Sequence, residues 1–257
     1  MSEADVKLYG STVVKTKTLL DFLSVQSSGR SLTELSDGTG LTKPTIRKIM
    51  DTLIYMNWVH EDQNGNFTVG IGMIKYGAAA QAQFNIVLLA EPYLRRLSER
   101  FGETINFVIP DRNRVVLMKK FEGTHSVALK SIVGGNMDMY STSVGKSILA
   151  TYSDAELQEY IAQTDLIAKT PNTISDPDEL LVEIVNVRKN GFAYERNENE
   201  MDISCVGTAI SRNGHVFGAF SISAPSYRVN AEREQEFATA ILETKDEILA
   251  GIGSQIY

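Results

Sequence analysis

The chain has 257 residues, enough for two domains at roughly 150 residues each, and its 43% hydrophobic and 22% charged residues are those of an ordinary globular protein. A formal net charge of −7 argues, as a whole-chain average, against a nucleic-acid partner, and a single cysteine (Cys205) with three histidines (His60, His125, His215) excludes an intrachain disulfide and a cysteine-based zinc site. The N-terminus lacks a basic and apolar leader pattern and no run approaches the ~18 apolar residues of a membrane span, so a cytoplasmic chain with no membrane partner, metal or cofactor is expected.

The acidity is unevenly spread: residues 1–70 carry seven basic and eight acidic side chains, a net of −1, and the remainder carries −6. In the first part, Val13, Val14, Leu19, Leu20, Phe22 and Leu23 have the spacing of one amphipathic helix, which the Ser27-Ser28-Gly29 cluster ends. Ser31-Leu32-Thr33-Glu34 reads as an N-cap with an acid three residues on, opening a short helix that stops near Gly38 or Gly40. A third helix starts at once, with Thr42 as N-cap, Pro44 in the first turn, and Ile46, Ile49, Met50, Leu53 and Ile54 as its buried stripe. Trp58–His60 and Phe67–Val69 are β-prone runs around an Asn64-Gly65 pair that suits a tight hairpin. Three helices and a hairpin are the plan of a winged helix-turn-helix, expected over 1–72.

Gly72–Gln83 reads as a connecting helix, assigned as a linker over 73–84, and helical spacing continues from Ile86 to Phe101 before Gly102. The remainder, 85–257, predicts a mixed α+β domain with largely antiparallel pairing. Its expected strands are Thr104–Ile109, Val115–Phe121, Val127–Val133, Phe192–Glu195, Cys205–Ile210 and Val216–Ser223. Helices are expected near Ser143, from Asp176-Pro177 to Gly191, and over Ala231–Leu249.

The stretch from Leu41 to Met50 holds Lys43, Arg47 and Lys48 and no acid, so the third helix has a locally positive face. On a helix-turn-helix the start of the second helix reaches base edges, which gives Thr42, Lys43, Thr45 and Arg47 as reading residues, with Arg47 suited to a bidentate guanine contact. Lys43 and Lys48 suit phosphates, and Asn64 and Asn66 at the hairpin tip suit the backbone or minor groove. A solvated charged face is the plain alternative.

Ser31–Leu35, then Gly40-Leu41-Thr42-Lys43-Pro44-Thr45-Ile46-Arg47-Lys48, then Asp51-Thr52-Leu53, resemble the helix-turn-helix signature of IclR-type bacterial transcriptional regulators, with Pro44 where the family usually has a serine. Ser141–Ala150, with its Gly145-Lys146 pair, Gly191-Phe192-Ala193, Glu198-Asn199-Glu200, Ser204-Cys205-Val206 and Ser221-Ile222-Ser223 are similar to the family's second-half pattern. The resemblance implies a winged-helix N-domain that binds operator DNA, a dimerising helical linker, and a GAF-like effector-binding C-domain, assembled as a homodimer or dimer of dimers. It also implies a small-molecule carboxylate effector (a keto, sugar or aromatic acid) held by Ser143, Val144, Gly145, Glu195, Cys205, Ser221 and Ser223. Two departures stand out: Glu195 where the family has Asp, and Asp202 where it generally has Gly. No catalytic constellation is legible; a hydrolase or transferase built on Cys205, and a dimeric scaffold that binds protein rather than DNA, are the rival readings.

Overall fold

The computed structural model describes residues 9–25, 28–81, 85–124 and 131–252. The chain divides into two compact units between Gln83 and Phe84.

In the first unit, α1 (Ser11–Ser24), α2 (Leu32–Thr39) and α3 (Lys43–Tyr55) precede the antiparallel hairpin β1 (Val59–Glu61) and β2 (Phe67–Val69). The local signals act as their chemistry requires. Ser31 Oγ accepts the Glu34 N–H while the Glu34 carboxylate accepts the Ser31 N–H, a closed capping box, and Gly40 ends α2 in the left-handed region at φ 70°. Pro44 sits in the first turn of α3, where a missing N–H leaves no bond unmade. Leu19, Leu23, Leu35, Ile46, Ile49, Met50, Leu53, Val59 and Phe67 close one core, and full burial of such a side chain is worth about 1.5–3 kcal/mol. A 3-10 turn (Ile71–Met73) leads into α4 (Ile74–Gln81); residues 82–84 of the expected linker lie outside the described residues.

The second unit is a six-stranded, wholly antiparallel sheet. It contains β3 (Thr104–Asp111), β4 (Arg114–Phe121), β5 (Asn136–Asp138), β6 (Ala193–Arg196), β7 (Ile203–Arg212) and β8 (His215–Pro225), in the order β5-β4-β3-β8-β7-β6. Around it lie α5 (Asn85–Phe101), α6 (Ser143–Leu149), α7 (Asp154–Ala162), α8 (Pro177–Asn190) and α9 (Ala231–Ile252). Because side chains alternate across a strand, the faces differ. Ile105, Phe107, Val206, Ile210, Phe220, Ile222 and Ala224 pack with α5 and α9 into one apolar layer. Val108, Ala209 and Ala219 face the other way, into a layer with Val144, Ile148 and Leu149 of α6, Leu157 of α7 and Leu180 and Ile184 of α8.

Three expectations need correction. Residues 127–130 of the strand expected over Val127–Val133, and His125, lie outside the described residues, and 131–133 form no strand. A turn follows at 133–134: Gly134 is left-handed at φ 85°, its N–H donates to the Leu117 carbonyl, and the register with β4 begins at Asn136. The β3–β4 connection is also tighter than the five residues Pro110–Arg114, because both strands run on until Arg112, at φ 53°, and Asn113 alone make the turn. The proline is tolerated there because β3 pairs with β8 only through Val108, so Pro110 has a single strand neighbour. Finally, α7 has no counterpart in the sequence reading, although Ser153 and Glu156 form a second capping box that announces it.

Candidate functional site

Two groups of residues singled out in the sequence fall on different units. On the first, the buried stripe of α3 turns Lys43, Pro44, Arg47 and Lys48 outward, all exposed. Thr42 does not cap the helix with its side chain; its hydroxyl is 2.9 Å from that of Thr45. Lys43 Nζ donates to Thr33 Oγ1 of α2 at 2.8 Å. Arg47 is the most heavily engaged: Nη1 and Nη2 donate to the two carboxylate oxygens of Glu61 at 2.7 and 3.0 Å, and Nε donates to Asp51 at 2.8 Å. These bonds, the Glu61 pair first, hold the guanidinium even further above its ordinary pKa. The absence of acids between Leu41 and Met50 therefore misleads, because folding brings Glu61 from β1 onto the same face. Among the described residues Lys48 makes no ion pair, so Lys43 and Lys48 carry most of the accessible charge.

The hairpin tip is built on Asp62, whose Oδ1 accepts the backbone N–H groups of Asn64 and Asn66, each at 2.8 Å. The Asn66 N–H above all, then that of Asn64, holds the Asp62 carboxyl below its ordinary range. Gly65 turns the chain at φ 78°, and Asn66 Nδ2 also reaches Asp62 at 3.3 Å, which leaves Asn64 as the more exposed of the two asparagines.

On the second unit a cavity of about 310 Å³ opens between the α6 face of the sheet and the segment 131–144. The strand register creates it. Glu195 (β6), Cys205 (β7), Ser223 (β8) and Thr104 (β3) stand opposite one another in a single cross-strand row, and Ala193, Gly207, Ser221 and Asn106 form the next row on the same face. Within these rows the face carries small and polar groups where the rest of it is apolar. Ser143, Val144, Glu195, Cys205, Ser221 and Ser223 all line the cavity. Gly145 does not; a Cβ there would sit 2.2 Å from Met139 Cα, so its hydrogen is what lets α6 lie against that strand-to-helix turn. Gly207 does the same from the sheet side, since its Cβ would meet Ser143 Oγ at 2.8 Å and Val144 N at 2.9 Å.

Glu195 is 3% exposed, not a solvated surface acid. Its Oε1 accepts the backbone N–H groups of Glu198 (2.9 Å) and Asn199 (3.2 Å), yet burial dominates and pushes its carboxyl above the ordinary range. Cys205 is partly exposed as a residue, but its thiol is buried beside Glu195 and Ser223, and burial, then the Glu195 charge, raises it well above the ordinary thiol range. A raised thiol is a poor nucleophile, which is the opposite of what a cysteine enzyme needs.

Sequence reasoning missed the supports of this site. Asn106, a lone amide in an apolar strand, donates to Ser223 Oγ at 3.1 Å and accepts from Ser131 Oγ at 3.3 Å, and that isolation was the signal available. Lys146, 1% exposed, donates to both Glu198 oxygens at 2.8 and 3.0 Å and to Glu183 of α8 at 3.1 Å. Thr173 Oγ1 donates to the Glu198 carbonyl at 2.6 Å, and Asn199 Oδ1 accepts from Lys169 Nζ at 2.9 Å. The loop that presents its N–H groups to Glu195 is thus fixed from three sides. Asp202, in the position where the resemblance expects glycine, is left-handed at φ 63°, a region that Asp and Asn enter more readily than other residues with a side chain. Among the described residues no group of His, Cys, Asp and Glu is arranged to hold a metal ion, and no helix is long and apolar enough to cross a membrane.

Comparison with known proteins gives one answer along the whole chain. Residues 12–63 match the model of the IclR helix-turn-helix domain, and residues 78–250 match that of the bacterial transcriptional regulator IclR C-terminal domain. The HTH-type transcriptional repressor AllR of Escherichia coli (strain K12) is 28% identical over 237 residues, 91% of this chain and 88% of that protein. The crystal structure of the Thermotoga maritima IclR protein is 32% identical and superposes with a TM-score of 0.79 over 95% of this chain and 99% of its own. At 16% identity and a TM-score of 0.79, the fold is also that of an IclR homolog from Microbacterium hydrocarbonoxydans, crystallised as a complex with 4-hydroxybenzoate, over 95% of this chain and 100% of that one. The matched families and these relatives are transcriptional regulators, not enzymes.

Proposed function

The chain belongs to the IclR family of bacterial transcriptional regulators, and from that premise we propose that it is a ligand-responsive repressor working as a homodimer or dimer of dimers. In this reading α3 and the hairpin, with Thr42, Lys43, Pro44, Thr45, Arg47, Lys48, Asn64 and Asn66, form the interface to double-stranded operator DNA. The C-terminal cavity takes a small organic acid, a keto, sugar or aromatic acid. The observation that carries the proposal is the cavity itself: about 310 Å³, the size of a small-ligand site, with the Ser221 and Ser223 hydroxyls, the Asn106 amide and the buried Glu195 carboxyl along its sheet wall. A carboxyl group pushed up by burial can share a proton with a ligand carboxylate, so an acid is accepted without an arginine. The nearly neutral first unit binds DNA weakly through one copy, and two linked copies on one operator supply the missing affinity by effective concentration. Effector and operator then compete or cooperate by linkage.

Two measurements test the reading. A thermal-shift screen against keto, sugar and aromatic acids identifies the effector, because a ligand at 100 times its Kd adds about 2.7 kcal/mol to stability; Cys205→Ser retunes that shift, whereas loss of a turnover activity in this variant favours the enzyme reading. A gel-shift titration on the DNA upstream of its own gene gives salt-sensitive binding that the hit compound alters, and silence in both experiments removes the proposal.

A further inference from the structure

Arg47 is the α3 side chain best suited to read a base, and in the free protein it is already held. Its two terminal nitrogens form a parallel fork on Glu61 at 2.7 and 3.0 Å, its Nε and Nη2 also lie 2.8 and 2.6 Å from Asp51 Oδ1, and its Cζ lies 5.8 Å from the centroid of the Phe67 ring. Asp51 is one helical turn away, but Glu61 belongs to β1, so the fork ties the reading helix to the wing. The donors engaged by Glu61 are those that would meet the O6 and N7 atoms of a guanine, or two oxygens of a phosphate.

We propose that Glu61 is a specificity-determining residue for DNA binding: it occupies the fork of Arg47, so that Arg47 engages DNA only at a sequence whose base edge replaces both carboxylate oxygens. The inference rests on the DNA-binding reading above. Binding to unselected DNA consists almost wholly of cation–phosphate contacts. Arg47 is one of three cations on α3, beside Lys43 and Lys48, and withholding it removes one such contact from every wrong site. At the right site a bidentate base edge replaces the bidentate carboxylate, one fork for another. Glu61 acts through Arg47 and is a positioning residue.

The test uses the full chain and a short random-sequence duplex, with binding followed by fluorescence anisotropy across a salt series for the wild type, Glu61→Gln, Arg47→Ala and the double variant. Glu61→Gln is expected to bind several-fold more tightly at low salt, with log K against log[salt] steeper by about 0.9, one further phosphate contact. That slope makes the advantage shrink roughly threefold between about 50 and 200 mM salt. In the Arg47→Ala background the same substitution leaves the slope unchanged. An equal change of slope in that background means that Glu61 acts only as a repulsive charge, and unchanged or weaker binding by Glu61→Gln means that it does not restrain Arg47; either result overturns the proposal. Should Glu61→Gln lower the thermal midpoint, Glu61→Asp is read instead, because it keeps the charge and breaks the fork; the proposal then requires the same steeper slope, and its absence is equally fatal. A wild-type protein that binds neither this duplex nor its upstream DNA defeats the DNA-binding reading itself, whereas a bound wild type matched by Glu61→Gln defeats only the role of Glu61.

Discussion

The two polar centres of this chain are built on opposite plans. Around Arg47 the charged groups stand at the surface, 44% exposed for the arginine side chain and 26% for that of Glu61, where water screens each pair and an exposed ion pair is worth about 0–1 kcal/mol. Around the cavity the central polar groups are buried and their bonds replace ones lost to solvent: Lys146 is 1% exposed, Glu195 3%, Ser223 2%. The first centre can trade its partners for those of another molecule at small cost. The second is fixed by the fold and presents a prearranged surface to something small enough to enter it.

The largest test of that contrast is Lys146→Met. Removing one partner of a buried pair leaves Glu198 uncompensated beside Glu183, a loss of about 3–5 kcal/mol in the second unit. Urea unfolding followed by far-ultraviolet circular dichroism reads that loss. Fluorescence of Trp58, the one tryptophan of the chain, which packs against the core of the first unit, is expected not to follow it. A Trp58 transition that moves equally breaks the contrast, as does an unshifted dichroism curve. Pairing the change with Glu198→Gln restores part of the stability, since the buried charge goes with its partner.

Gly207→Ala comes next. Its methyl would overlap the Ser143–Val144 turn at contacts no real Cβ makes, at a cost of about 1–3 kcal/mol as α6 is pushed from β7. The shifted turn is a wall of the cavity, so the same variant loses the thermal shift given by any ligand found in the screen. Retention of that shift would mean that the turn plays no part in binding.

These positions also mark the limit of what the sequence reveals. The first unit was legible because its signals are local: the Ser31–Glu34 box, Pro44 in the first turn, the i, i+3, i+4 stripe of α3 and the Asn64-Gly65 turn each lie within a few residues. What failed there was a non-local partner, Glu61, fourteen residues from the arginine it neutralises. In the second unit the strand alternation puts Ser221 and Ser223 on one face, but the opposition of Glu195 to Cys205 and Cys205 to Ser223 is a matter of register between strands, which no single segment encodes. The resemblance, not the spacing, carried those residues; it did not reach Asn106, which lines the cavity, or Gly207, which lies against the Ser143–Val144 turn. The Ser153–Glu156 capping box of α7 is as local a signal as that of α2.

A smaller loss is expected where the signal was most local. Ser31→Ala opens the capping box of α2 and costs about 1 kcal/mol, read this time by Trp58 fluorescence and not by the cooperative loss of the sheet. Glu34→Gln keeps the acceptor for the Ser31 N–H and is expected to recover most of what Glu34→Ala loses. If both glutamate variants are equally impaired, the charge at the helix N-terminus, and not the box, is what counts.

The finest discrimination is one of sign. Burial raises the Glu195 carboxyl in the folded chain, so between the ordinary carboxylate range and its folded value the native state binds more protons than the unfolded one, and stability falls as pH rises through that window. Glu195→Gln cannot titrate: its advantage over the wild type is constant in acid and grows as pH rises through the window. Asp62 in the wing is shifted the other way, chiefly by the Asn66 N–H, so its contribution is complete above the ordinary range and is lost as pH falls through the lowered folded value. Asp62→Asn therefore falls short of the wild type at neutral pH and converges with it in acid, followed by Trp58 fluorescence, while Glu195→Gln gains as pH rises through its window, followed by circular dichroism. Slopes of the same sign for the two variants would mean that the buried and the exposed carboxylate answer to one environment, and the division between a screened surface and a desolvated cavity would have to be given up.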